Sequence, residues 1–330
     1  MPGLDIEVKH ANRKREAPWI GIGKSGTWSD VAEALAECGL DFQVRGQEAY
    51  TDLWLPGTVS SPAVLASVPV TVKEKVPGIM VNVREDNEKI VGVVSEQYGL
   101  IQNSDAFKLM QPFCDRGAVI RHGGMTAQGM CFLVAEYSEF DANGDEYVTY
   151  VCMMNSFNSR FPLALFVTPV RVICQNMFRQ LVEGNENMLH IKHGSQINNR
   201  LEESQRLLAS AAEYNIELQK VLGVAARTKL DPWPLVEELF PYPKVKGPKY
   251  QTSCVNVDEM REAFMNKYYM VSDNAKFEGT GMGFLNAYFD YLSHRPEPRG
   301  DANAWRQSRF SGLLSGQNVQ RKLIDKAVGR

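Results

Sequence analysis

The chain reads as an α+β protein: a mostly antiparallel β core flanked by helices, then a long amphipathic helix and a helical C-terminal part. Three observations predict this class. Short apolar segments broken by turn residues run from Gly78 to Thr168, with Asn143-Gly144 the strongest hairpin signal among them. From Gln196 to Leu222, Ile197, Leu201, Leu208, Ala211, Leu218 and Leu222 recur at helical steps, with Arg200, Glu203, Arg206, Glu213 and Glu217 on other faces. Further on, Met260, Phe264 and Tyr268, and then Phe284, Tyr288 and Leu292, repeat every fourth residue.

In chain order, residues 1–26 are polar and punctuated by glycine, and a flexible loop is predicted over Gly21–Thr27. Ser29-Asp30 opens a helix carrying Val31, Leu35 and Cys38 on one face, and Gly39 is placed to end it. An irregular segment spaced by Pro56, Pro62, Pro69 and Pro77 follows. Strands are expected on both sides of a turn at Asp86-Asn87, and Asn103-Ser104 caps a helix with Phe107, Met110 and Phe113. After the Asn143-Gly144 hairpin, the strand from Leu163 should end near Pro169, because proline cannot donate to a ladder. Cys174 to Val182 reads as a helix. The predicted organisation is a helical and irregular region over 1–60, the α+β core over 61–223, a proline-rich link over 224–256, and a helical region packed on the core over 257–330.

At 330 residues, with 44% hydrophobic and 23% charged, the chain has the length and composition to bury a sizeable core. A net charge of −3 excludes a global basic field. Charge is nevertheless unevenly spread. Residues 295–330 hold eight Lys/Arg against three acids, whereas 29–52 hold six acids against one Arg. The six cysteines form no CxxC pair, so free, mostly buried thiols are expected. Without a signal-like or membrane-length apolar run, the expected location is a reducing cytoplasm.

Familiar chemical motifs are weak here. Gly23-Lys24-Ser25 resembles the close of a phosphate loop, but the first glycine of that motif falls on Pro18. His190 and His193 have no third ligand at metal spacing, and no metal or cofactor is expected. The acids between Glu136 and Glu146 decorate a hairpin tip. Cys174 and His193 are the only nucleophile and base that the sequence suggests, and Cys174 reads better as a packed thiol.

The stretch after Thr168-Pro169 is denser in polar groups. If it is helical, Arg171, Gln175 and Arg179 share a face. With Asn176, Lys192, His193 and Arg200 they make a cationic, amide-rich strip. Either it is an internal network tying a strand end to the long helix, or it meets phosphates and bases. Trp305, Arg306 and Arg309 interleave an aromatic with cations in the basic C-terminal segment, a second candidate strand-binding edge.

These residues also carry a resemblance. Val83-Arg84 with Asp86, Gly92, Tyr98, Gln102-Asn103, Gly144-Asp145, Thr168 through Asn176 and Lys192-His193 are similar to the phage- and plasmid-like proteins grouped as domain of unknown function 932. So are Gly279-Thr280, Asn286-Ala287, Tyr291, His294, Ser308 and Phe310, and the likeness runs from about Trp19 to the C-terminus. Phe157 stands where related proteins tend to carry a histidine, which argues against a catalytic histidine at that turn. The resemblance implies a cytoplasmic protein of mobile elements and their bacterial hosts, and no settled activity.

The expected function is a DNA-transaction protein that binds or anneals single-stranded DNA without chemistry, on a homo-oligomer and away from membranes. The alternatives are an enzyme of unassigned class with a pocket around Cys174, Gln175, Asn176 and His193, or a phage protein-interaction module acting on a host protein.

Overall fold

The computed structural model describes residues 19, 21–55, 70–171, 176–177, 188–191, 201–270, 274–294 and 320–330. Its strands are β1 (Lys24–Trp28), β2 (Val44–Leu55), β3 (Val70–Arg84), β4 (Ile90–Ser95), β5 (Val119–Met125), β6 (Met130–Ala142), β7 (Asp145–Ser156), β8 (Leu163–Arg171), β9 (Asn176–Met177) and β10 (Met188–Ile191). Its helices are α1 (Val31–Glu37), α2 (Asn103–Phe107), α3 (Gln111–Cys114), α4 (Leu201–Arg227), α5 (Trp233–Leu239), α6 (Tyr250–Tyr269), α7 (Gly281–His294) and α8 (Arg321–Ala327). The class is α+β, as the patterning predicts. Every strand pairing among the described residues is antiparallel.

One sheet runs β1-β5-β6-β7-β8-β10, with β9 also on β8; the other runs β2-β3-β4. The Asn143-Gly144 signal becomes the β6–β7 hairpin: Ala142 faces Asp145, and both turn residues have positive φ, 56° and 76°. That twist matches the strands it joins. The middle of the large sheet is buried continuously over 130–135, 151–157 and 163–170, so both its faces are covered. α4 lies against β6, β8 and β10, and α1 lies against β1 and β5. Asp30 caps α1 by accepting from the Glu33 amide at 2.9 Å, and Gly39 (φ 65°) closes it. The apolar repeats on α6 and α7 meet through Phe264, which lies 5.6 Å from Phe284 and 6.0 Å from Tyr291. Cys114, Cys131 and Cys152 are buried thiols outside any disulfide, as expected, while Cys38 and Cys254 are half-buried.

Five local readings are corrected. Gly21–Thr27 is not all loop, because β1 begins at Lys24 and pairs with β5. The stretch read as irregular holds β2 and the first half of β3, whose second half is the strand predicted before the Asp86-Asn87 turn. The β2–β3 register jumps from Tyr50↔Lys75 to Glu48↔Met80, which gathers Pro77 and Gly78 (φ 76°) into a bulge where neither must serve the ladder. β8 continues through Pro169 to Arg171. Pro169 faces Thr149 on one side, and on the other it falls in the gap between the β10 and β9 pairings. Asn176-Met177 pairs with β8 as a strand, so the helix predicted from Cys174 to Val182 does not hold there. The β-branched run around Val170, Val172 and Ile173 favours an extended chain. The long helix ends at Arg227, five residues beyond the predicted Leu222.

Candidate functional site

The predicted cationic strip has its root at the margin of the large sheet. The backbone of Arg171 ends β8 opposite Tyr147 on one side and Asn176 on the other. Because Arg171 lies in a strand, the helical spacing that aligned it with Gln175 and Arg179 is lost at its first member. Cys174, Gln175, Arg179, Lys192, His193, Arg200, Trp305, Arg306 and Arg309 lie outside the described residues. Nearby, beneath α4, Thr149, Asn215 and Ser138 form a short chain of hydrogen bonds. Thr149 Oγ1 donates to Asn215 Oδ1 at 3.0 Å, and Asn215 Nδ2 donates to Ser138 Oγ at 3.1 Å.

Asn82, Gly92 and Tyr98 converge elsewhere, on the turn that joins β7 to β8. Asn82 Nδ2 donates to the Phe157 carbonyl at 2.7 Å, and Tyr98 donates its hydroxyl to the Ser156 carbonyl at 2.8 Å. Gly92 sits so close that a Cβ there would lie 2.0 Å from the Phe157 oxygen. The Asn103 amide reaches the Leu40 carbonyl at 2.9 Å, and Asn155 Nδ2 serves both Asn103 Oδ1 (3.0 Å) and the Ile101 carbonyl (3.2 Å). Gln102 clasps both the amide and the carbonyl of Val44. Arg84 stacks 3.8 Å above the Phe42 ring and grips Asp86 through two bonds, which hold that carboxyl below its usual range. Burial pushes the neighbouring Cys131 thiol up to about 12 despite hydrogen bonding from Asn103, so it carries no thiolate at neutral pH. This inward-turned network clamps the three-stranded sheet onto the large one. Its chemistry is that of a joint.

A different arrangement occupies the link between α5 and α6, which sequence reasoning treated only as a proline-rich connector. Lys244, Lys246 and Lys249 are exposed and, among the described residues, have no acidic partner. Two tyrosines bracket them. Tyr242 is 43% exposed, anchored by its hydroxyl on Asp258 and backed by the Arg261 guanidinium 4.3 Å from its ring. Tyr250 lies 5.9 Å beneath the Lys246 ammonium. The nearby Glu238 is already bound by Lys322 and Lys326, which hold its carboxyl below the ordinary range. Pro241, Pro243 and Pro248 restrict the backbone of the loop. The available signal was the alternation of lysine, proline and tyrosine over 242–250.

Among the described residues no three His, Cys, Asp or Glu side chains gather as a metal site, and no helix is long and apolar enough to cross a membrane. A family model described as domain of unknown function (DUF932) matches residues 90–313, about two thirds of the chain. The chain belongs to that family. For this DUF932 protein, the match takes in β4 through α7, and with them the joint residues from Gly92 onward and the lysine loop. No curated protein and no solved structure matches.

Proposed function

We propose that this DUF932 protein binds single-stranded DNA and promotes strand annealing without covalent chemistry. The observation that carries the reading is the loop over 241–250, with three exposed ammonium groups that have no acidic partner among the described residues and two partly exposed tyrosine rings on a proline-stiffened backbone. Such a loop suits a single strand: lysines neutralise phosphates while rings stack bases, each stack contributing roughly 1–3 kcal/mol. Little order is lost on binding, because the prolines have already restricted the chain. The arginines and lysines between Arg171 and Arg200, and Arg306 and Arg309 with Trp305, extend the cationic inventory of the same reading.

The test is direct. Fluorescence anisotropy with labelled single-stranded and duplex oligonucleotides at low salt should show preference for the single strand, and complementary strands should anneal faster with the protein than without it. Equal affinity for duplex, or no binding at low salt, removes the reading.

A further inference from the structure

We propose that Ser25 and His122 form a nucleophile–base pair able to transfer the acyl group of a carboxylic ester, at a site separate from the lysine loop. Ser25 lies on β1, the margin of the large sheet, directly opposite His122 on β5. Its Oγ is 2.8 Å from His122 Nδ1, and the residue as a whole is exposed. His122 itself is only 2% exposed, and its Nε2 is bonded to the Ile22 carbonyl. That bond places the ring proton on Nε2, leaving Nδ1 as an acceptor for the serine proton. Phe132 stacks on the imidazole at 6.0 Å, and burial keeps the ring neutral by lowering its pKa.

The backbone beside Ser25 is also unusual. The β1–β5 register runs from Ser25↔His122 to Trp28↔Ile120, so Gly26 and Thr27 together face Arg121 in a bulge. Bulges of this kind release an amide from the ladder and occur beside active sites. A Cβ at Gly26 would lie 2.2 Å from the Trp28 ring, so only glycine fits against that ring beside Ser25. The amide after a nucleophile is a common oxyanion donor. Arg121 fixes the bulge by donating to Thr27 Oγ1 at 3.1 Å and to Glu136 at 3.0 Å.

In the reaction, Ser25 Oγ forms a bond to the acyl carbon as its proton passes to His122 Nδ1. The carbon–oxygen bond to the leaving alcohol breaks, and that oxygen takes the proton from His122. Water then bonds to the acyl carbon as its proton passes to His122 Nδ1, the bond from that carbon to Ser25 Oγ breaks to release the acid, and Oγ takes the proton back from His122. A closed third member is unnecessary, because the Ile22 carbonyl orients the ring.

The full-length protein would be treated with p-nitrophenyl acetate and with a fluorophosphonate probe, and the adducts mapped by peptide mass spectrometry. One adduct on Ser25 is expected, absent in Ser25→Ala and formed about 100-fold or more slowly in His122→Gln. Because His122 is buried, Ser25→Cys supplies an independent readout: its thiol should react with iodoacetamide at neutral pH faster than the half-buried Cys254. No adduct on Ser25, an unchanged rate in a folded His122→Gln protein, or an ordinary thiol in Ser25→Cys would each overturn the proposal.

Discussion

Replacing Asn155 tests whether the joint between the two sheets is held by its amide network. Asn155 is fully buried, and its Nδ2 donates to Asn103 Oδ1 and the Ile101 carbonyl, while its own Oδ1 has no hydrogen-bond partner. Asn155→Ala strands two buried acceptors, at roughly 1–3 kcal/mol each, and removes one orphan of similar cost. The net loss should therefore be about 1–3 kcal/mol. Asn155→Asp keeps the volume but replaces the donor with an acceptor facing two other acceptors, and it adds a buried charge. It should cost clearly more than alanine. Urea unfolding of the three proteins, read from midpoints at a common slope, measures both differences. An aspartate variant as stable as the alanine variant would refute the donor assignment on which the joint rests.

Gly92→Ala should destabilise by about 1–3 kcal/mol or more, since its Cβ would meet the Phe157 carbonyl at 2.0 Å and backbone must move; thermal unfolding reads this, and a neutral outcome would contradict the close approach. Burial depresses the His122 pKa, so below about pH 6.5 the unfolded chain binds more protons than the folded one. Stability should thus be complete above that pH and fall as pH drops through it. The fall should flatten in His122→Asn when urea midpoints are compared at about pH 7.5 and about pH 5.5. Tyr250→Ala should weaken single-strand binding by roughly 1–3 kcal/mol, measured by anisotropy, while leaving the dependence on salt unchanged.

The elements that alternation and turn chemistry specify were legible in the sequence: the β6–β7 hairpin at Asn143-Gly144, α1 behind its Asp30 cap, and the four-residue repeats of α6 and α7. β2 and the first half of β3 were not, because polar residues in β2 and Pro77 in β3 mask a ladder whose irregularity is collected in one bulge at Pro77-Gly78, whereas the half of β3 after Gly78 and its hairpin with β4 were. A two-residue strand such as β9 has too few positions to show a period. The joint was visible only as scattered asparagines and glycines. Single side chains such as Asn103 reach partners 63 residues away, and no local pattern announces such a contact. The lysine loop was overlooked for the opposite reason: its prolines read as punctuation, while exposure of its cations depends on tertiary packing.

The most direct measurement is the salt dependence of single-strand affinity for the native chain and for the variant carrying Lys244→Ala, Lys246→Ala and Lys249→Ala. Each phosphate neutralised on a single strand contributes about 0.7 to the slope of log affinity against log salt, so losing three lysines should flatten it by about 2. A variant that binds with the native slope and affinity would show that this loop does not carry the strand.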